Sequence, residues 1–157
     1  MVAGAAVAGG ADRGALRVGS PVKAPVLAID PGEVRIGLAI SDPTGTIARP
    51  LEVLRHTSRQ ADVRLILERA GTHAAAALLV GLALDSDGGI GPQARRGLRL
   101  AEALRAETDL PVDTFDESGS TRAAWRPHAQ RGHRDPMIDA RAAAVFLQEY
   151  LDARRSA

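Results

Sequence analysis

The chain has 157 residues, enough for one domain, and 45% of them are hydrophobic, enough for a sizeable core. Aromatics reach only 3% and cysteine is absent, which excludes a platform of stacked bases, disulfides, thiolate nucleophiles and Cys-type zinc sites. Lys and Arg total 20 against 19 Asp and Glu, a net charge of +1 that excludes a uniformly basic protein but leaves room for a local patch.

Residues 1–24 are rich in Ala and Gly and lack the basic start and apolar run of a secretory signal. They predict a disordered extension ahead of a single domain over 25–157. Lys23, the only lysine, lies in that extension. No later stretch approaches the roughly 18 apolar residues of a membrane span, so a cytoplasmic protein is expected. Residues 26–29 form an apolar run that ends at Asp30 and the Pro31-Gly32 turn. Residues 35–41 read as a second strand. The turn at 42–45 leads to a third strand over 46–54. Three short strands joined by tight turns predict an antiparallel meander.

The period then changes. Residues 58–69 place Val63, Ile66, Leu67 and Ala70 at helical spacing. Residues 75–84 carry helix-forming alanines, but Leu78, Leu79, Val80 and Gly81 favour a buried strand. A polar loop over 85–91, shaped by Asp85 and Asp87, leads to a helix over 93–107, whose Arg95, Arg96 and Arg99 read as a solvated face. Residues 111–115 are a fifth strand, and 118–134 are irregular and charged. Asp135 suits an N-cap and Pro136 the first helical position of a last helix. Its apolar face is Ala140, Ala143, Ala144, Leu147, Tyr150 and Leu151. The expected fold is α/β: a mixed five-stranded sheet with a meander, then alternating helices and parallel strands, with helices on both faces.

Acids end several of these elements. Asp30 closes the first strand, Asp116 and Glu117 close the fifth, and Asp139 sits in the first turn of the last helix. Parallel first and fifth strands bring their acidic ends to one edge of the sheet, which the start of the last helix can approach. Clustered carboxylates repel unless they are protonated or share a cation. Oxygen ligands select hard ions such as Mg2+ or Mn2+, and such ions assist phosphodiester hydrolysis. Strand alternation leaves open which of Asp116 and Glu117 points inward.

The stretch Asp30-Pro31-Gly32-Glu33-Val34-Arg35-Ile36-Gly37-Leu38-Ala39 resembles the opening strand motif of the YqgF family. Val80-Gly81-Leu82-Ala83 with its following loop is similar to that family's Val-Gly-Leu-Pro segment, and Asp116-Glu117-Ser118-Gly119-Ser120-Thr121 to its Asp-Glu-Arg-Leu-Ser-Thr motif. Ile138-Asp139 and the alanines after it resemble its final helix, and Ala48-Arg49-Pro50-Leu51 its third strand. The family is described as pre-16S ribosomal RNA nucleases and as Holliday-junction-resolvase-like proteins with an RNase H-like fold. The resemblance implies a metal-dependent endonuclease acting on structured RNA, with precursor 16S rRNA in ribosomal particles as partner. It implies Asp30, Glu117 and Asp139 as catalytic metal ligands, with Asp116 adjacent. Ser118 stands where the family has Arg, Gly119 where it has Leu, and Ala83 where it has Pro. Glu33 adds a fourth acid near Asp30. Residues 118–135 carry Arg122, Arg126, Arg131 and Arg134 against one aspartate, with Trp125, His128 and His133. The arginines are the expected nucleic-acid contacts, since a guanidinium fork matches phosphate. Two alternatives stand beside this reading: a non-catalytic RNA- or ribosome-associated protein that keeps the fold, and a Holliday-junction resolvase acting on branched DNA.

Overall fold

A computed structural model describes residues 23–85, 87–117 and 135–156. The expected extension over 1–24 falls outside these residues but for its last two. So do Ser118, Arg122, Trp125, Arg126, His128, Arg131, His133 and Arg134.

The elements run β1 (Val26–Pro31), β2 (Arg35–Ser41), β3 (Ala48–Arg55), α1 (Arg59–Thr72), β4 (Ala77–Leu82), α2 (Pro92–Glu107), β5 (Val112–Asp116) and α3 (Ile138–Ser156). The sheet has the order β3-β2-β1-β4-β5. The β1–β2 and β2–β3 pairs are antiparallel, whereas β1–β4 and β4–β5 are parallel. This is the expected mixed sheet, the helical crossovers making the late strands parallel.

Strand alternation divides the core in two. Leu27, Ile29, Ile36, Leu38, Ile40, Leu78 and Val80 pack with α1 and α2 on one face. Val26, Ala28, Ala39, Ala77 and Leu79 meet Ala143, Phe146, Leu147, Tyr150 and Leu151 of α3 on the other. Every residue of β4 is buried. A strand covered on both faces reads as a continuous apolar run, which settles the helix-or-strand ambiguity of residues 75–84.

Local chemistry sets the boundaries. Ser58 caps α1 by accepting from the Ala61 N–H. β3 starts at Ala48, not at residue 46, because the Asp42 carboxylate gathers the N–H groups of Thr44, Thr46 and Ile47 into a closed loop. Those bonds hold the Asp42 carboxyl far below its usual range. α3 also starts late: Asp135 accepts from the Met137 N–H across a turn, and regular helix begins at Ile138. Its buried face includes Phe146, absent from the predicted stripe, which is fully buried and stacked on Phe115 with ring centroids 6.0 Å apart. Gln148 ties α3 to the outer strand by accepting from the Ala48 N–H and donating to the Thr46 carbonyl, each at 2.9 Å. At the opposite edge Arg105 donates to the Val112 carbonyl of β5.

Candidate active site

The parallel strands β1, β4 and β5 end at one edge of the sheet. Val26 and Ala28 pack toward α3, so alternation puts Asp30 on that same face. Asp30 is paired with Gly37 of β2. On its other side Ile29 is paired with Val80, and the same register carried one residue further sets Gly81 beside Asp30. The acid therefore stands between two glycines.

Each bare position is occupied by another acidic residue. A Cβ on Gly37 would collide with the backbone carbonyl of Asp139, where α3 begins. A Cβ on Gly81 would collide with the Glu117 carboxylate and come within 2.8 Å of the Phe146 ring. Only glycine permits either approach. Asp139 and Glu117 thus flank Asp30 on one face of one edge.

The same alternation separates the two acids at the end of β5. Phe115 packs toward α3, so Asp116 turns to the other face, where it is exposed. The Glu117 N–H donates to the Leu82 carbonyl at 3.0 Å, which extends the ladder one residue and returns Glu117 to the α3 side. Glu117 is only 4% exposed. Asp30, Glu117 and the start of α3 at Asp139 thus share one face of this edge, while Asp116 turns to the other.

Arg35 completes this face, two residues before Gly37 on β2. Its Nε donates to Asp139 Oδ2 at 3.2 Å, and both side chains are about one-third exposed. A pair so exposed is worth at most about 1 kcal/mol, but it fixes where the Asp139 carboxylate points. Sequence reasoning missed this role. The signal was the even spacing of Arg35 and Gly37 after a tight turn, which puts both on Asp30's face. The donor set of three carboxylates is all oxygen and suits a hard divalent cation. Among the described residues, no group of three His, Cys, Asp or Glu side chains stands close enough to hold one.

Other candidate acids are engaged elsewhere. Glu33 is exposed and pairs with Arg96 at 3.3 Å, so it is not a fourth member of the group. Asp85 and Asp87 shape their loop as expected: Asp85 and Gly89 close a backbone bond at 2.9 Å, and Asp87 accepts from the Gly89 N–H.

The family described as RuvX, Holliday junction resolvases, matches residues 24–153. The chain belongs to this family. A protein of Desulforamulus reducens named "Putative pre-16S rRNA nuclease" is 36% identical over 132 residues, covering 82% of this chain and 96% of its own. A protein of the same name from Anaeromyxobacter is 40% identical over 134 residues, covering 83% and 98%. Among solved structures, RuvC of Thermus thermophilus superimposes with a TM-score of 0.54 at 20% identity, over 85% of this chain and 97% of its own. At that identity the likeness concerns the fold alone. It agrees with the RNase H-like sheet expected from the motifs. RuvX membership likewise agrees with the resemblance drawn from the Asp30, Val80, Asp116 and Ile138 segments.

Proposed function

We propose that this protein is a cytoplasmic endonuclease that hydrolyses phosphodiester bonds in structured RNA, with precursor 16S rRNA in ribosomal particles as substrate and Mg2+ or Mn2+ as cofactor. The observation that carries this reading is Asp30 flanked by Asp139 and Glu117 across two glycines. The names of the pre-16S rRNA relatives support the choice of substrate. No helix among the described residues is long and apolar enough to cross a membrane.

In this reading Asp30, Glu117 and Asp139 would supply oxygen ligands for the cation once it draws their side chains together. When bound, such an ion activates water and neutralises the scissile phosphate. Arg35 orients the Asp139 carboxylate through its Nε hydrogen bond. Phe146 and Gly81 wall Glu117 away from bulk water. Arg122, Arg126, Arg131 and Arg134 supply phosphate contacts along the segment that follows Glu117.

The test compares wild type with Asp30→Asn on precursor 16S rRNA with and without Mg2+ or Mn2+. Wild type cleaves only with metal, and the variant loses on the order of 100-fold or more of that rate while its melting temperature holds. Equal cleavage by both removes Asp30 from the mechanism. Salt-sensitive RNA binding by well-folded wild type with no turnover on any substrate supports a non-catalytic binder instead. The family's description favours a second reading, cleavage of four-way DNA junctions. Faster metal-dependent cutting of a junction than of precursor RNA selects it.

A further inference from the structure

The opposite face of the same sheet edge carries a basic cleft. Its volume is about 490 Å³, and its lining includes His56, Arg59, Arg95, Arg96 and Arg99 together with the Pro31-Gly32 turn. The arginines come from two helices that both begin here. Arg59 opens α1, and Arg95 and Arg96 fall within the first five residues of α2.

This charge arrangement works against the stability of α2. A helix N-terminus carries partial positive charge and favours acids. The first turn of α2 has no acidic residue of its own and its N-cap Gly91 makes no side-chain capping bond, so the acid at this end is Asp85 of the preceding loop, whose carboxylate packs against Gly91. Two arginines stand near that positive end and a third follows one turn later. Among the described residues Arg96 pairs with Glu33, whereas Arg59, Arg95 and Arg99 show no carboxylate partner. The acid in the lining, Asp62, is buried and accepts from His56 Nδ1 and the Thr57 N–H, which holds the imidazole at the cleft wall. An anion is what this collection of guanidinium groups binds.

We propose that this cleft binds the phosphodiester backbone of a nucleic-acid strand on its way to the acidic edge. The inference rests on the nuclease reading for its ligand and extends it with a binding surface on the other face of the sheet. The cleft begins at Pro31, the residue after Asp30, so a strand held there lies next to the acids. Backbone contacts of this type position a strand without reading its sequence.

The test is binding in the absence of divalent metal, so that no cleavage intervenes. The probe is a labelled single-stranded oligoribonucleotide, followed by fluorescence anisotropy across a salt series. The double variant Arg95→Gln/Arg99→Gln loses about 10-fold in affinity at low salt. Its slope of log affinity against log salt falls by about 1.4, the value for two lost single-strand phosphate contacts. Arg64→Gln, an exposed arginine of α1 outside the cleft, changes neither. Unchanged slope and affinity in the double variant overturn the proposal, as does an equal loss in Arg64→Gln. Inorganic phosphate is the second probe, and it displaces the oligonucleotide only at far higher concentration. Tight phosphate binding that leaves the oligonucleotide in place makes the cleft a small-anion site and also overturns the proposal. The nuclease reading is scored separately, by metal-dependent cleavage. Binding that depends on Arg95 and Arg99 without turnover sinks the nuclease and keeps the cleft; turnover with indifferent arginines does the reverse.

Discussion

Two regions share one sheet edge and differ in almost every respect. On the α3 face, three carboxylates lie close to glycines and an aromatic ring, and Glu117 is nearly sealed. On the α1–α2 face, arginines stand exposed around an open cleft. β1 serves both, since Asp30 belongs to the first and Pro31-Gly32 to the second. The comparison teaches that strand alternation separates opposite charges by a single residue step. Asp30 and the cleft that begins at Pro31 therefore face opposite ways, although the chain visits them consecutively. A net charge of +1, from 20 basic and 19 acidic residues over the whole chain, does not register this local separation.

Substitutions on the two faces should break differently. The largest effect is expected for Phe146→Ala, which removes a fully buried ring over Gly81 and costs about 3–5 kcal/mol in a denaturant titration. Gly37→Ala comes next. The obstacle is the backbone of Asp139, which cannot rotate aside, so overpacking of about 1–3 kcal/mol is expected together with lost cleavage. Arg35→Gln sharpens the contrast: stability changes by less than about 1 kcal/mol, but the Mg2+ concentration for half-maximal cleavage falls, because a guanidinium no longer competes for Asp139. An unchanged metal requirement removes Arg35 from the site. On the basic face, Arg99→Gln alone shifts stability by less than about 0.5 kcal/mol. The smallest effect lies away from both. Asp42 stays ionised in the folded chain below the pH at which it protonates in the unfolded chain, so it contributes stability above the unfolded pKa that is lost as pH falls through the folded one. Asp42→Asn therefore reduces the acid sensitivity of the β2–β3 loop, followed by amide exchange at Thr46 and Ile47.

Much of the acidic region was legible in the sequence. Asp30 before Pro-Gly, Asp139 in a first helical turn and the parallel order of the late strands pointed to one edge of the sheet, where the fold does bring the ends of β1 and β5 and the start of α3. The choice between Asp116 and Glu117 was not legible, because it depends on one extra ladder bond beyond β5. Phe146 escaped the predicted stripe of α3, since its importance lies in the glycine it covers on a strand more than 60 residues earlier. The basic cleft was hidden for a similar reason. Arg95, Arg96 and Arg99 look like a solvated face on α2 alone, and become part of a cleft wall only once Arg59 at the start of α1 and His56 before it join the lining. Short-range periodicity reports which way a side chain points, but not what another element sets before it.

The side-chain bonds at the two outer strands bear on assembly. An outer strand exposes unpaired backbone groups and invites another sheet to join. Gln148 uses its amide as a surrogate peptide against the start of β3, and Pro50 removes a donor from the middle of that strand. Arg105 covers a carbonyl of β5. Among the described residues, both margins of the sheet thus carry side chains or a proline where an added strand would seek backbone partners.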